Sequence, residues 1–422
     1  MRRISIMKPL FSYFMMSIMV VLFHLFGVTP YAMAGAKPDV TKLTPQKITL
    51  KARPVSFKRG ETERKIFGSL IFKNGFSLSS PSPYWGGLSG MAISNKGNKL
   101  ALVSDAGFWA MLELEYASKH LKPPKEALVG PLLSSKGKPL KRGRDRDAEA
   151  ITLLRSDKFF GKALISFEDN HRIGRFSIGK NGINSAPSYL KLPSITRRLR
   201  GNAGLEAMAI LRGGKNKGAL VAIAQSKKDK NRNFIGWIVK KGKIRKIRFT
   251  PPPLDKYRIT DAVSLANGDL LLLERRYKFL TVNIRVRYVK QSELFSNRPI
   301  RGRVVLEANN HDHVVDNMEG ISAHTNKKGE TILTLLSDDN FNGFQRTLLM
   351  QFALPKNWKV AWKSLFLMVL YLFSRTIFSR ETRKALRWGS ARARQLFSVL
   401  QMPTCNRTAA MSCAHLSIRA GN

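Results

Sequence analysis

The 422-residue sequence predicts an all-β fold, a β-propeller, on three observations. One word recurs five times at an even step near 57 residues, the mark of a repeat architecture. Each repeat reads as apolar strands joined by glycine-containing turns. Its first hairpin also begins and ends on polar, often acidic, residues, so the repeat carries chemistry as well as shape.

The five words are Ser89-Gly90-Met91-Ala92, Glu149-Ala150-Ile151-Thr152, Glu206-Ala207-Met208-Ala209, Asp261-Ala262-Val263-Ser264 and Glu319-Gly320-Ile321-Ser322. Their starts step by 60, 57, 55 and 58 residues. The second strands close on Ser104-Asp105, Glu168-Asp169, Gln225-Ser226, Glu274 and Ser337-Asp338-Asp339. Between them, Asn95-Lys96-Gly97, Arg212-Gly213-Gly214, Asn267-Gly268 and Lys327-Lys328-Gly329 supply the positive φ of tight hairpins. Residues 270–273 and 332–336 are apolar throughout, as strands packed on both faces are. About four strands per repeat suits a propeller blade with long loops. A sandwich needs no even spacing, and solenoid repeats are shorter. Residues 55–78 add strands before the first repeat. They either lend an outer strand to the last of five blades or form a sixth, because an open ring leaves a sheet edge unpaired.

Residues 1–34 read as an export signal. Arg2, Arg3 and Lys8 precede an apolar run over 10–28, Pro30 breaks it, and Ala32-Met33-Ala34 offers small residues for cleavage. The run is long enough that an uncleaved membrane anchor is the alternative. The expected destination is the periplasm or the exterior. Residues 35–54 are expected as a linker, 55–354 as the propeller and 355–422 as a basic, partly helical extension. That tail has one acid, Glu381, and its apolar stretch 365–373 is too short to span a bilayer. It reads as an amphipathic helix on an anionic membrane or envelope surface, or as an extension outside the fold. The only cysteines, Cys405 and Cys413, lie there, and with His415 they lack a fourth metal ligand. The propeller therefore has neither disulfide nor thiol chemistry. A net charge of +45 attracts anionic small molecules and polyanions. No recognition helix, RNA-binding signature or zinc-finger spacing points to specific nucleic-acid reading. A monomer is expected.

Folding each hairpin back places its polar ends side by side. Asp261 and Glu274 are symmetric about Asn267-Gly268 and are expected to face each other. The same folding brings Glu319 near Asp338, Glu149 near Glu168 or Asp169, and Ser89 near Asp105. Carboxylates roughly 5 Å apart repel unless a cation, an arginine or a shared proton answers them. The triplets Glu168-Asp169-Asn170 and Asp338-Asp339-Asn340 are rich in oxygen and suit calcium, though neither is an EF-hand. His171, Arg172, Arg275, Arg276 and Arg346 lie close by in sequence, either to bridge the acids or to hold an anion. Gly87-Leu88-Ser89-Gly90 is a poor nucleophile elbow, since Met91 stands at the second glycine position. His311-Asp312-His313 reads as a polar loop.

Several words are similar to those of the bacterial phytase-like family, the esterase-like phytase domain. They are Gly87-Leu88-Ser89-Gly90, Ser166-Phe167-Glu168 with His171-Arg172-Ile173, and Leu273-Glu274-Arg275-Arg276-Tyr277. Asn317-Met318-Glu319-Gly320-Ile321 and Ser337-Asp338-Asp339-Asn340-Phe341-Asn342 with Gln345-Arg346-Thr347 are the more specific ones. The resemblance covers roughly residues 55–354 and implies an exported propeller that hydrolyses esters or phosphoesters, with no settled catalytic set to carry over. The third repeat departs, having Gln225-Ser226 where others have acids.

The leading expectation is a hydrolase of a phosphate ester or other anionic ester, with calcium at the acidic mouth. Glu319, Glu168 and Asp105 are the candidate catalytic residues. Arg172, Arg275, Arg276, Arg346 and His171 would bind substrate, and Asp338, Asp339, Glu149, Asp261 and Glu274 would hold metal. The alternatives are a non-catalytic propeller that binds a protein, glycan or envelope polyanion, and a lactonase-like metal-dependent hydrolase.

Overall fold

The structure, a computed structural model, describes residues 36–355 apart from 119, 142, 185–186, 193–203, 251–256 and 280. The expected export signal and basic tail lie outside the described residues.

Five antiparallel sheets form the five blades of a propeller. Their innermost strands are Leu88–Ile93, Ala148–Leu153, Leu205–Ile210, Arg258–Ser264 and Asn317–Thr325, and these neighbour one another in a closed ring. In blades 1, 3, 4 and 5 the glycine turn expected from sequence follows the inner strand. Gly97, Gly268 and Gly329, for example, have φ of +75°, +87° and +71°.

The segment before the first repeat closes the ring and makes no sixth blade. Leu70–Ser79 pairs antiparallel with Thr347–Leu354 and becomes the fourth strand of blade 5. Lys51–Pro54 pairs outside it. Gln46–Thr49 adds an outermost strand to blade 1 beside Glu126–Pro131. Residues 46–54, expected as linker, are thus woven into two sheets. Their lysines stay in water while Ile48 and Leu50 are buried, a pattern suited to a charged sheet edge.

The core lies in the seams between blades. Trp109, Phe167 and Phe176 fill the seam of blades 1 and 2. Phe234, Phe249 and Leu272 fill that of blades 3 and 4, and a ring cluster of Phe57, Phe67, Phe72 and Phe352 sits within blade 5. Each such side chain contributes about 1.5–3 kcal/mol on burial.

Every inner strand carries a β-bulge near its start. The register skips between Leu88 and Gly90, Ala148 and Ile151, Leu205 and Ala207, Ile259 and Asp261, and Met318 and Gly320. The unpaired residues are therefore Ser89, Glu149 with Ala150, Glu206, Thr260 and Glu319. A bulged residue leaves the ladder and its side chain is re-aimed. In blade 4 the bulge falls on Thr260, so Asp261 pairs with Leu273 and Glu274 with Ile259. The expected Asp261–Glu274 pair does not form.

Backbone groups on the axial edges of inner strands find partners across the seams. Ser322 Oγ accepts from Ile93 N at 3.1 Å, and Ser264 Oγ accepts from Arg212 N at 3.0 Å. Asp261 accepts from Ile321 N at 2.9 Å and from the backbone of Met208, joining blades 3, 4 and 5. Such pairing is what buried backbone groups require.

Candidate metal centre

The mouth of the channel is the end where the inner strands begin, and it gathers acids from four blades. Asp147, Glu149 and Glu168 of blade 2 each offer an oxygen, all within 4.8 Å of one another. Ladder geometry explains the meeting: Glu168 N donates to Asp147 O at 2.8 Å, and the bulge sets Glu149 free beside them. Glu168 Oε1 also accepts from Gly204 N at 2.8 Å.

Burial dominates the electrostatics. It pushes Glu168 up to about 7 and Asp147 to about 6, with neighbouring carboxylates adding to both rises. Glu149 is pushed well above the usual range by burial and by the charges of Asp147, Glu206, Glu168 and Glu319. Burial likewise raises Glu206, Glu319, Asp338 and Asp105. Asp338 feels Asp105 and Glu319, so the acids form one interacting group.

Arg275 and Lys37 answer part of this charge. Arg275 donates to Glu319 and to Asn317, which also accepts from the Tyr277 hydroxyl. Lys37 reaches in from near the first of the described residues, its Nζ 3.0 Å from Asp105 Oδ2 and 3.6 Å from Asp147 Oδ1. Burial works against that ammonium, yet Asp105 and Asp147 hold it above its ordinary value. The other oxygen of Asp105 is buried with no hydrogen-bond partner. Gly87 packs on it, with φ +58°, and a Cβ there would lie 2.3 Å from Asp105 Oδ1. Only glycine fits both demands.

Three crowded carboxylates, an orphaned buried oxygen beside them and an all-oxygen donor set fit a hard cation such as calcium. Asp147, Glu149 and Glu168 are the residues that could hold it.

Of the candidate residues read from sequence, the structure brings Asp105, Glu149, Glu168, Glu319, Asp338 and Arg275 to the mouth. It sends the others elsewhere. Glu274 is fully buried and bonds Arg285 and Arg287, both themselves buried. Asp261 is spent on backbone amides across the seams. Asp339 accepts from Gly87 N, Phe341 N and the Thr347 hydroxyl, latching blade 5 to blade 1. Arg172 stacks on Phe167 at 3.9 Å and donates to Asn170 O and Asp145 O. Arg276 lies over Tyr257 at 5.0 Å, and Arg346 pairs with Asp316 at 3.5 Å. His171 is half-buried in the turn that follows Glu168. Ser89 Oγ is buried and bonded to Ala148 O, so no free hydroxyl faces the mouth there.

Three mouth residues escaped the sequence reading. Glu206 stands in a repeat word and accepts from Gln225, but its second strand ends on Gln225-Ser226, with no acid to pair with it. Asp147 was within reach, two residues before Glu149 on the same strand approach. Lys37 had no signal, since it lies in irregular chain far from its partners.

The fold and mouth together define a class: a five-bladed propeller whose channel opens through a ring of buried carboxylates. Residues 83–341 match the family described as Phytase-like, esterase-like activity of phytase. That is more than half of the 422 residues, and the chain belongs to this family. No curated protein matches the chain.

Proposed function

We propose that the protein is an exported hydrolase of a phosphate ester or similar anionic ester, working with calcium at the mouth of the propeller. The observation that carries this reading is the trio Asp147, Glu149 and Glu168, within 4.8 Å of one another and each with its proton affinity raised by burial and by its neighbours' charge. An anionic substrate meets repulsion at such a mouth unless a cation stands between. The family's hydrolase character and the protein's net charge of +45 support an anion as cargo.

Bound there, calcium would supply the positive charge that polarises a phosphoryl or acyl oxygen. The chain's own residues do the rest. Glu168, with its affinity for protons near pH 7, would take a proton from water and return it to the leaving oxygen. Arg275, pinned by Glu319 and Asn317, presents fixed positive charge on the blade 5 side. Burial raises the proton affinity of Glu206 and Glu149, and a carboxyl that holds a proton donates a hydrogen bond.

The test is turnover of an aryl phosphate and of phytate with and without a calcium chelator, in the natural protein and in Glu168→Gln. The reading expects chelation to abolish turnover and Glu168→Gln to lower it about a hundredfold or more. Turnover indifferent to both would end it.

A further inference from the structure

A second site lies at the opposite end of the channel, and its chemistry is the reverse of the mouth. There the inner strands end, and a cavity of about 160 Å³ opens between them. Met91, Met208 and Ile321 line its apolar part, and Thr152, Arg212 and His324 supply polar groups. Exposed Asn95 and Thr325 stand at its edge, so the space communicates with solvent.

Arg212 is the unusual feature. Its guanidinium donates to Leu153 O at 2.7 Å and reaches Leu154 O and Thr152 Oγ1 only at 3.4 and 3.5 Å. Among the described residues no carboxylate lies within ion-pair distance of it, whereas Arg275 and Arg285 each have one. Burial accordingly lowers Arg212, to about 10, with only distant Asp157 opposing. An arginine has five donors, and the backbone contacts leave most of this fork without a strong acceptor. His324 is the second observation. It is 5% exposed, its Nδ1 is buried without a hydrogen-bond partner, and burial holds the ring neutral. A neutral imidazole carries one N–H donor.

We propose that this cavity binds a small organic carboxylate, its head on Arg212 with help from His324 and its short apolar tail against Met91, Met208 and Ile321. A guanidinium fork matches a carboxylate's two oxygens. The volume holds a molecule of roughly six heavy atoms, comparable to cavities that admit benzene. The site is separate from the acidic mouth and does not depend on calcium there.

The experiment is calorimetric titration of the whole protein with acetate, propionate and butyrate. Ionic strength is kept constant with chloride, because so cationic a protein attracts any anion. The proposal expects saturable binding that tightens about fourfold per added methylene. Arg212→Met should weaken butyrate binding about thirtyfold or more, and His324→Leu about tenfold. If Arg212→Met fails to fold, His324→Leu carries the comparison alone. Binding no stronger than chloride, binding indifferent to chain length, or binding unchanged in the folded variants overturns the proposal. Turnover of phosphate esters is read in parallel. Its loss with carboxylate binding intact would count against the mouth and leave this site standing.

Discussion

Blades 2 and 4 start from nearly the same word, yet one delivers its acids to the mouth and the other hides them. In blade 2 the bulge falls on Glu149, which joins Asp147 and Glu168. In blade 4 it falls one residue earlier, on Thr260, whose hydroxyl bonds Met318 O at 3.2 Å. Asp261 is thereby returned to the ladder and holds backbone amides, and Glu274 meets two arginines in the interior. A shift of one residue in bulge position separates a candidate site from a structural fastening. Equal spacing of similar words is therefore evidence of shared fold, not of shared role.

The sharpest break of this contrast is Glu274→Gln. It leaves Arg285 and Arg287 buried without their carboxylate, a loss of about 3–5 kcal/mol. At about 2–4 °C per kcal/mol, the melting temperature should fall by on the order of 10 °C, and calorimetry checks it. Asp261→Ala comes next. Three backbone N–H groups, of Met208, Ala262 and Ile321, lose their acceptor, which costs about 3 kcal/mol and roughly 6–9 °C without altering the response to calcium. A calcium-induced shift that vanished in Asp261→Ala would return that residue to the metal site.

Acidity sharpens the contrast further, through Glu168 and Asp147 of blade 2. Glu168 and Asp147 bind protons more tightly folded, at about 7 and about 6, than at their ordinary 4.5 and 3.8. Raised carboxyl groups favour the folded state at low pH, and that advantage is lost as pH rises through the window from about 4 to 7. In chelator the melting temperature should therefore drop between pH 5 and 7.5, by a few kcal/mol in stability. Saturating calcium should flatten the slope, and a slope identical with and without calcium would contradict the assignment. The smallest effect on stability belongs to Glu149→Gln. Removing one member of a repelling group should leave the chelated protein as stable as before or slightly more so. Calcium affinity should nevertheless fall at least about tenfold.

Much of this was legible in the residues themselves. The period, the glycine turns and the apolar second strands carried the five blades, and the acids at hairpin ends carried Asp105, Glu149, Glu168, Glu319 and Asp338. The phase of the fourth bulge was not, because Ile259-Thr260-Asp261-Ala262 places a polar residue beside an apolar one in either register. The fate of Glu274 has a readable sign in the sequence. Arg285 and Arg287 alternate with apolar residues on the third strand, placing both guanidiniums on one face toward the interior. Ring closure remained open between two arrangements since pairing of the first strands with the last is a long-range event. Lys37 was beyond reach for the same reason.

That lysine has a practical consequence. It sits three residues past Ala34, where leader removal is expected, and its ammonium rests against two of the acids that surround the proposed calcium position. The chain thus brings its own monovalent stopper, with which, on the proposed reading, an incoming divalent ion would compete. On that reading, Lys37→Met would therefore take up calcium more tightly than the natural protein.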